Sequence, residues 1–548
     1  MAILLVVVVG VLIIVFANSI ASRTGVAGPL ILVMVGVVIS FLPAVPAITI
    51  PPEVILVAVL PPLLFSAAVS APAIEFRRDI TAIGGLSVVL VVISALLLGL
   101  LFWWLIPGLG FALAVALGAI LSPTDAVATS IVRRLGVPRR VVTILEGESL
   151  LNDASALVLL RTAVVAAAAG FSFLTTLGSF AWAVVSAIVV GAVAGLIALR
   201  LRHWTTSPTA NTALGLTVPY LAYLPTEALG GSGLVAAVVA GVVCGQGSVR
   251  WLTPEQRISD ASTWRTIEFL LEGAVFLIMG LELFAIVQGN GGGAQRLLSG
   301  LGIAALAFVL IVLVRAAYVM PMLRLHARRA AGRRRTRLEA ARGAQTGRRQ
   351  KATGRMRADI DYFDSSPLTW KHSTIVVWAG MRGAVTLAAA QTLPAETPQR
   401  DLLVFIAFAV AAGSLLVQGL TLPLLAKMLG LRKSGGAGPP RDEIREIDDD
   451  LRTTARAAVE SGAIARPDGT AFPPELGADV LSRFVAADTP AGDAASVHQL
   501  ELAVVDTMRA RLHELGRSGR YSTPALRYIL DELDAYEISV KLHVESEE

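Results

Sequence analysis

Apolar runs of about twenty residues recur along this chain from its start to about position 428, and no other feature restricts its fold so severely. In lipid such a segment must satisfy its own backbone hydrogen bonds, which leaves helices or a closed barrel. The runs are continuous rather than alternating, so they predict helices. Bounded by charges, prolines and glycines, they number about thirteen, starting near residues 1, 28, 53, 82, 111, 143, 177, 211, 231, 264, 299, 372 and 400. Composition agrees, with 55% of the residues hydrophobic and 16% charged; soluble chains carry roughly a quarter charged. The first run, MAILLVVVVGVLIIVFANSIASR, has no basic start and is long for the core of a signal peptide, so it counts as a span. The sequence predicts an all-α polytopic membrane protein.

The polar residues gather in two places, a basic segment at 324–357 and the tail after about 431. This predicts a transmembrane domain over 1–430, with a basic loop (324–369) between the eleventh and twelfth spans, and a C-terminal domain over 431–548. In the tail, ELAVVDTMRARLHELG and TPALRYILDELDAYEISV have amphipathic spacing, so that domain is read as small and helical. The basic loop reads as disordered, or as a site for anionic lipid headgroups, each basic residue adding roughly 1 kcal/mol. With the N-terminus outside, the cytoplasmic loops carry Arg23, Arg77, Arg78, Arg133, Arg134, Arg139, Arg140, Arg200, Arg202, Arg250 and Arg257, against Arg296 and Arg400 opposite. An odd span count then leaves the tail in the cytoplasm of a plasma (inner) membrane protein. Cys244 is the only cysteine, which excludes an internal disulfide or a zinc cluster, and no two histidines stand at i, i+4. No cofactor, resident metal or nucleic-acid partner is implied.

Two runs are interrupted. Pro123 in LSPTDAVATS removes a backbone donor beside Ser122, Thr124 and Asp125, and Gly380 and Gly383 flank Arg382 in VVWAGMRGAVTLAAA. Broken spans at corresponding places in two halves point to a secondary transporter of inverted repeats, with its site where half-helix ends meet. Asp125 and Arg382 are suited to such ends, negative near helix N-termini and positive near C-termini.

Ionisable groups inside a span cost several kcal/mol unless paired or hydrated. Those present are Asp125, Glu148, Asp153, Arg161, Glu268, Glu272, Glu282, Arg315 and Arg382. In GESLLNDASALV, Glu148 and Asp153 are about 140° apart around a helix and roughly 7.5 Å along it, so they serve different purposes. An ion exchanger needs a carboxylate that holds either a proton or a small cation, with neutral oxygens to replace the hydration shell. Asp153 suits this, beside Thr124, Ser149 and Asn152; the alternative is structural pairing with a buried arginine. For Glu148 that pairing, with Arg315 or Arg382, is the preferred reading. Arg161 is expected to snorkel towards the outer surface, and the roles of Glu268 and Glu272 stay open.

Together GESLLNDASALV, SPTDAVATSIVRRLGVP, WAGMRGAVTLAAA and LPPLLFSAAV resemble the sodium/proton exchanger family of the NhaP and NHE type, in order, over about residues 1–430. The resemblance implies a thirteen-span homodimeric antiporter whose inverted-repeat core moves against a dimerisation domain. It implies Asp153 as the carboxylate shared by sodium and proton, Thr124, Ser149 and Glu148 in or near the ion's shell, and Asn152 as support. It also implies Arg315 paired with Glu148 and Arg382 facing Asp125, with one cation (sodium, or potassium or lithium) exchanged for one proton. The chain departs from the family pattern at Ala126, where a proline usually follows the aspartate of the TD motif, so the unwound stretch is expected to be shifted. Three other classes compete. A channel needs a continuous polar lining that few spans offer. A transport-inactive sensor signalling through its tail would not need to keep buried charges. An enzyme would need a catalytic pairing that the spans lack.

Overall fold

The computed structural model describes residues 2–43, 50–169, 173–289, 294–342, 362–363, 368–431, 441–464, 470, 472 and 494–547. Every described regular element is helical. We number them α1 (Ala2–Thr24), α2 (Gly28–Ser40), α3 (Val54–Ser70), α4 (Ala73–Leu105), α5 (Phe111–Leu121), α6 (Val127–Arg134), α7 (Arg139–Ala169), α8 (Phe173–His203), α9 (Pro208–Ala228), α10 (Gly233–Trp251), α11 (Pro254–Leu281), α12 (Leu283–Gly289), α13 (Ala294–Arg342), α14 (Trp370–Trp378), α15 (Ala384–Gln391), α16 (Arg400–Met428), α17 (Arg441–Glu460), α18 (Ala494–Ser518) and α19 (Thr523–Glu547). Eight are long and apolar enough to cross a membrane, and three shorter ones are apolar. Of the remaining expected runs, α9 carries prolines and polar residues, and the run near 372 is divided between α14 and α15.

Packing sorts these helices into two bodies. One, the panel, joins α1–α3 to α8–α11; the other, the core, joins α4–α7 to α13–α16. Small residues bring backbones together within each: a Cβ on Gly280 would fall 2.4 Å from Val33 O across α11 and α2, and one on Gly118 2.3 Å from Ala95 O across α5 and α4. This is how helices associate where lipid offers no hydrophobic drive between them. The bodies join in sequence through Ala71 and Pro72, between α3 and α4. Apolar side chains stay exposed along the outer faces of α1 and α8, among them Phe16, Trp182, Val185 and Leu196, as a lipid-facing surface requires.

One difference from the sequence reading stands out. The basic stretch from 324 is helical as far as Arg342, because α13 continues unbroken. Extending an existing helix needs no new nucleus, and Ala, Arg, Leu and Glu all propagate it well. The expected lipid site at 324–357 lies largely outside the described side chains. The C-terminal helices α17–α19 bury a separate apolar core that includes Ile447, Leu451, Leu500, Val504, Ile529 and Leu533, with Val249 of α10 packed against it.

Candidate functional site

The fifth and twelfth runs both break, and their breaks touch. The chain is non-helical between Leu121 and Val127, across SPTDA, and again between Trp378 and Ala384. Asp125 donates its backbone N–H to Met381 O at 2.8 Å, so the two unwound stretches are hydrogen-bonded to each other. Four half-helix ends therefore converge, two C-terminal (α5, α14) and two N-terminal (α6, α15). Each end carries unsatisfied backbone groups and about half an elementary charge.

Arg382 serves both C-terminal ends. It donates to Leu121 O at 2.9 Å and Ser122 O at 3.3 Å beyond α5, and to Gly380 O beyond α14. Asp125 serves the N-terminal ends, accepting the Val127 N–H of α6 at 2.9 Å and lying over Gly383, the residue before α15. Arg382 thus contacts carbonyls, and among the described residues no ion pair joins it to Asp125.

Gly380 and Gly383 both have φ outside the left-handed region. They are needed for approach: a Cβ on Gly380 would fall 2.6 Å from the Arg315 side chain, and one on Gly383 would meet Asp125. Each glycine admits a charge from another segment of the chain, Arg315 of α13 at Gly380 and Asp125 of the first break at Gly383.

On α7 the i, i+4 spacing divides the motif between two faces. Glu148 and Asn152 are buried together, whereas Ser149 and Asp153 are only partly buried. Glu148 forms a two-bond pair with Arg315 of α13, Nη2 to Oε2 at 2.7 Å and Nη1 to Oε1. Arg315 also donates to Val376 O at 3.0 Å, near the end of α14. Thr124 donates to Glu148 Oε1 at 3.2 Å, and Asn152 Nδ2 donates to Thr124 Oγ1 at 2.7 Å and Thr124 O at 3.2 Å. A continuous network therefore ties α7 to both broken helices. Ser87, in the π-helical turn Gly85–Val89 of α4, donates to Glu148 O at 3.2 Å on the far side. Such turns are frequently found at functional sites.

Asp153 makes no hydrogen bond or ion pair among the described residues, and Asn152 Oδ1 is buried without a partner. Asp125 lies within electrostatic reach of Asp153 and, across the boundary between core and panel, of Glu272 on α11. Sequence reasoning left Glu272 without a role; its only signal was an acid in an apolar run. Glu268 accepts from Ser66 at 3.2 Å. Glu282, 1% exposed, accepts from Ile50 N–H at 3.1 Å and Gln391 Nε2 at 2.9 Å. Arg161 does reach an exposed position, but paired with Glu227 of α9 at 2.8 Å.

This arrangement has known relatives. A family model described as sodium/hydrogen exchanger, transmembrane, matches residues 8–428. The chain belongs to the sodium/hydrogen exchanger family. It is 28% identical over 527 residues to the uncharacterized Na+/H+ exchanger YjcE of Escherichia coli, covering 89% of each chain. It is also 28% identical to the Na+/H+ antiporter ApNhaP of Aphanothece halophytica, over 73% of this chain and 69% of that protein. In fold it matches the sodium proton antiporter MjNhaP1 of Methanocaldococcus jannaschii at pH 8, with a TM-score of 0.56, 19% identity, and coverage of 78% of this chain and all of that one. Family and fold together make this exchanger a multi-pass membrane transporter of cations against protons.

Proposed function

We propose that this exchanger moves one sodium ion against one proton by alternating access, with Asp153 holding either ion in turn. The observation that carries the reading is that Asp153 is the buried-motif acid left uncommitted. Glu148 is neutralised by Arg315, and Asp125 is held by a helix N-terminus, whereas Asp153 has no partner among the described residues and is only partly buried. Asn152 Oδ1 and the spare lone pair of the Thr124 hydroxyl supply neutral oxygens, and Ser149 lies one turn away on the same face. These are ligands for a hard cation. Asn152 cannot titrate, so a single carboxylate exchanges charge for charge and the cycle is electroneutral. Potassium and lithium fit the same oxygen set.

The core carries the site, and its movement against the panel would expose Asp153 to alternate sides. The arginine asymmetry supports an N-terminus outside and C-terminal helices on the cytoplasmic side of the cell membrane. A homodimer through the panel follows the family resemblance. The deciding test is proteoliposome exchange driven by a pH gradient. Wild type should acidify or alkalinise its lumen on addition of sodium and Asp153→Asn should not; robust exchange by Asp153→Asn would overturn the assignment. Wild type that moves no cation would favour the sensor reading.

A further inference from the structure

The C-terminal helices grip both bodies of the transporter. On the core, Glu75 in the first turn of α4 is 5% exposed and accepts twice from Thr523, from its N–H at 2.8 Å and its hydroxyl at 2.7 Å. Arg78 donates to Gly519 O at 2.6 Å beside it. On the panel, Arg257 of α11 pairs with Asp534, Nε to Oδ2 at 2.7 Å, and Glu255 pairs with Lys541 at 2.9 Å. Between them, Arg527 donates to Ser70 O at 3.0 Å and Val69 O at 3.4 Å, the last carbonyls of α3 before the two-residue link to α4.

The α19 side chains that make these contacts lie at 523, 527, 534 and 541. Steps of four and seven residues keep them on one stripe of the helix. The stripe extends roughly 27 Å along its axis at 1.5 Å per residue. A rod held rigidly by its own apolar core thus touches core, link and panel at once. A hydrogen bond weakens steeply within a few tenths of an ångström, so rotation of core against panel must break one end.

We propose that α19 is a strap that fixes the angle between core and panel, and that transport requires one end of it to let go. The inference rests on the alternating-access reading, because it needs the two bodies to move. It goes beyond that reading in giving the C-terminal helices a mechanical part in the cycle. A strap acts only when both ends hold, so cutting either end should equal cutting both.

The test uses the full chain with Glu75→Ala cutting the core end, Arg257→Ala the panel end, and the double variant; Thr523→Val and Lys541→Ala repeat the cuts more gently. None of these residues belongs to the ion site. Spin labels on exposed Arg134→Cys of the core and Ser262→Cys of the panel report the distance between bodies, the native Cys244 being buried. A narrow distance distribution in the uncut protein should broaden to a second population on either cut. Exchange should rise about twofold or more, as when a state holding at least half of the molecules is released. The double variant should add nothing further. Distances unchanged by both single cuts overturn the strap, and so do additive effects of the two. If the distances respond while no variant moves cation, the strap stands and the transport reading fails.

Discussion

The Asp125 carboxylate lies so close to the Cα of Gly383 that a Cβ built there would fall 1.3 Å from Oδ2. One acid from the fifth run and one base, Arg382, from the twelfth thus compensate the four half-helix ends where the two breaks cross. Each acts on the other's helix as well as its own. The crossing is held by charges set against backbone ends, without a direct ion pair, and among the acids of the two motifs Asp153 is left with nothing to hold.

Gly383→Ala should therefore be among the most damaging small substitutions in the chain. The new methyl group cannot coexist with Asp125, and overpacking of this kind costs about 1–3 kcal/mol or more. Melting in detergent should fall and exchange should be lost. Gly302→Ala, in α13 with nothing within 4 Å of its Cβ, is the control; it should be neutral or stabilise by roughly 0.5–1 kcal/mol. Equal melting of the two variants would mean that Asp125 is not seated over Gly383.

Removing either partner of the Glu148–Arg315 pair should cost about 3–5 kcal/mol, because it leaves an uncompensated buried charge. Both side chains are almost completely buried, at 2% and 3% exposed. The double replacement by apolar residues should cost less than the sum of the single ones. Thermal melting of Glu148→Ala, Arg315→Ala and the double variant measures this, and unchanged melting of both single variants removes the pair from the account.

Stability and transport should separate along α7. Asp153→Asn removes no bond, so it should melt like wild type while abolishing exchange. Asn152→Asp keeps the shape, but an ionised acid cannot donate to Thr124 O and Oγ1 as Asn152 does. Losing those buried bonds should lower stability by about 1–3 kcal/mol. Melting curves and proteoliposome flux on the same preparations check both halves.

Much of the site was legible because ionisable residues in an apolar run have few bland explanations. Glu148 and Asp153 separate by helical angle alone, and Pro123 marks a break that the structure places across residues 122–126. The reason for Gly380 and Gly383 was not legible: backbone freedom was the sequence argument, whereas both make room for charges from distant parts of the chain. The same holds for Arg382, whose partners are carbonyls of Leu121 and Ser122, more than 250 positions away in the chain. Backbone acceptors have no residue signature. The role of Glu272 and the stripe on α19 stayed unread for a related reason, since their meaning depends on which body each one faces.

The strap contact at Lys541 should be insensitive to pH across the range in which an exchanger works. Burial opposes the charged form of Glu537, but hydrogen bonds from Lys541 and Arg509 outweigh it, so its carboxyl is held below the ordinary value of 4.5. Its contribution is present above that value and lost only as pH falls through the lower, folded one. Burial likewise opposes the charge on Lys541, and hydrogen bonds to Glu537 and Glu255 raise its pKa above the ordinary 10.5. That contribution is present below 10.5 and lost as pH rises through the folded value. Between about pH 5 and pH 10 neither group changes charge, so hydrogen exchange of the α19 amides, corrected for its intrinsic rate, should be level. A step in α19 protection near neutrality would refute this assignment.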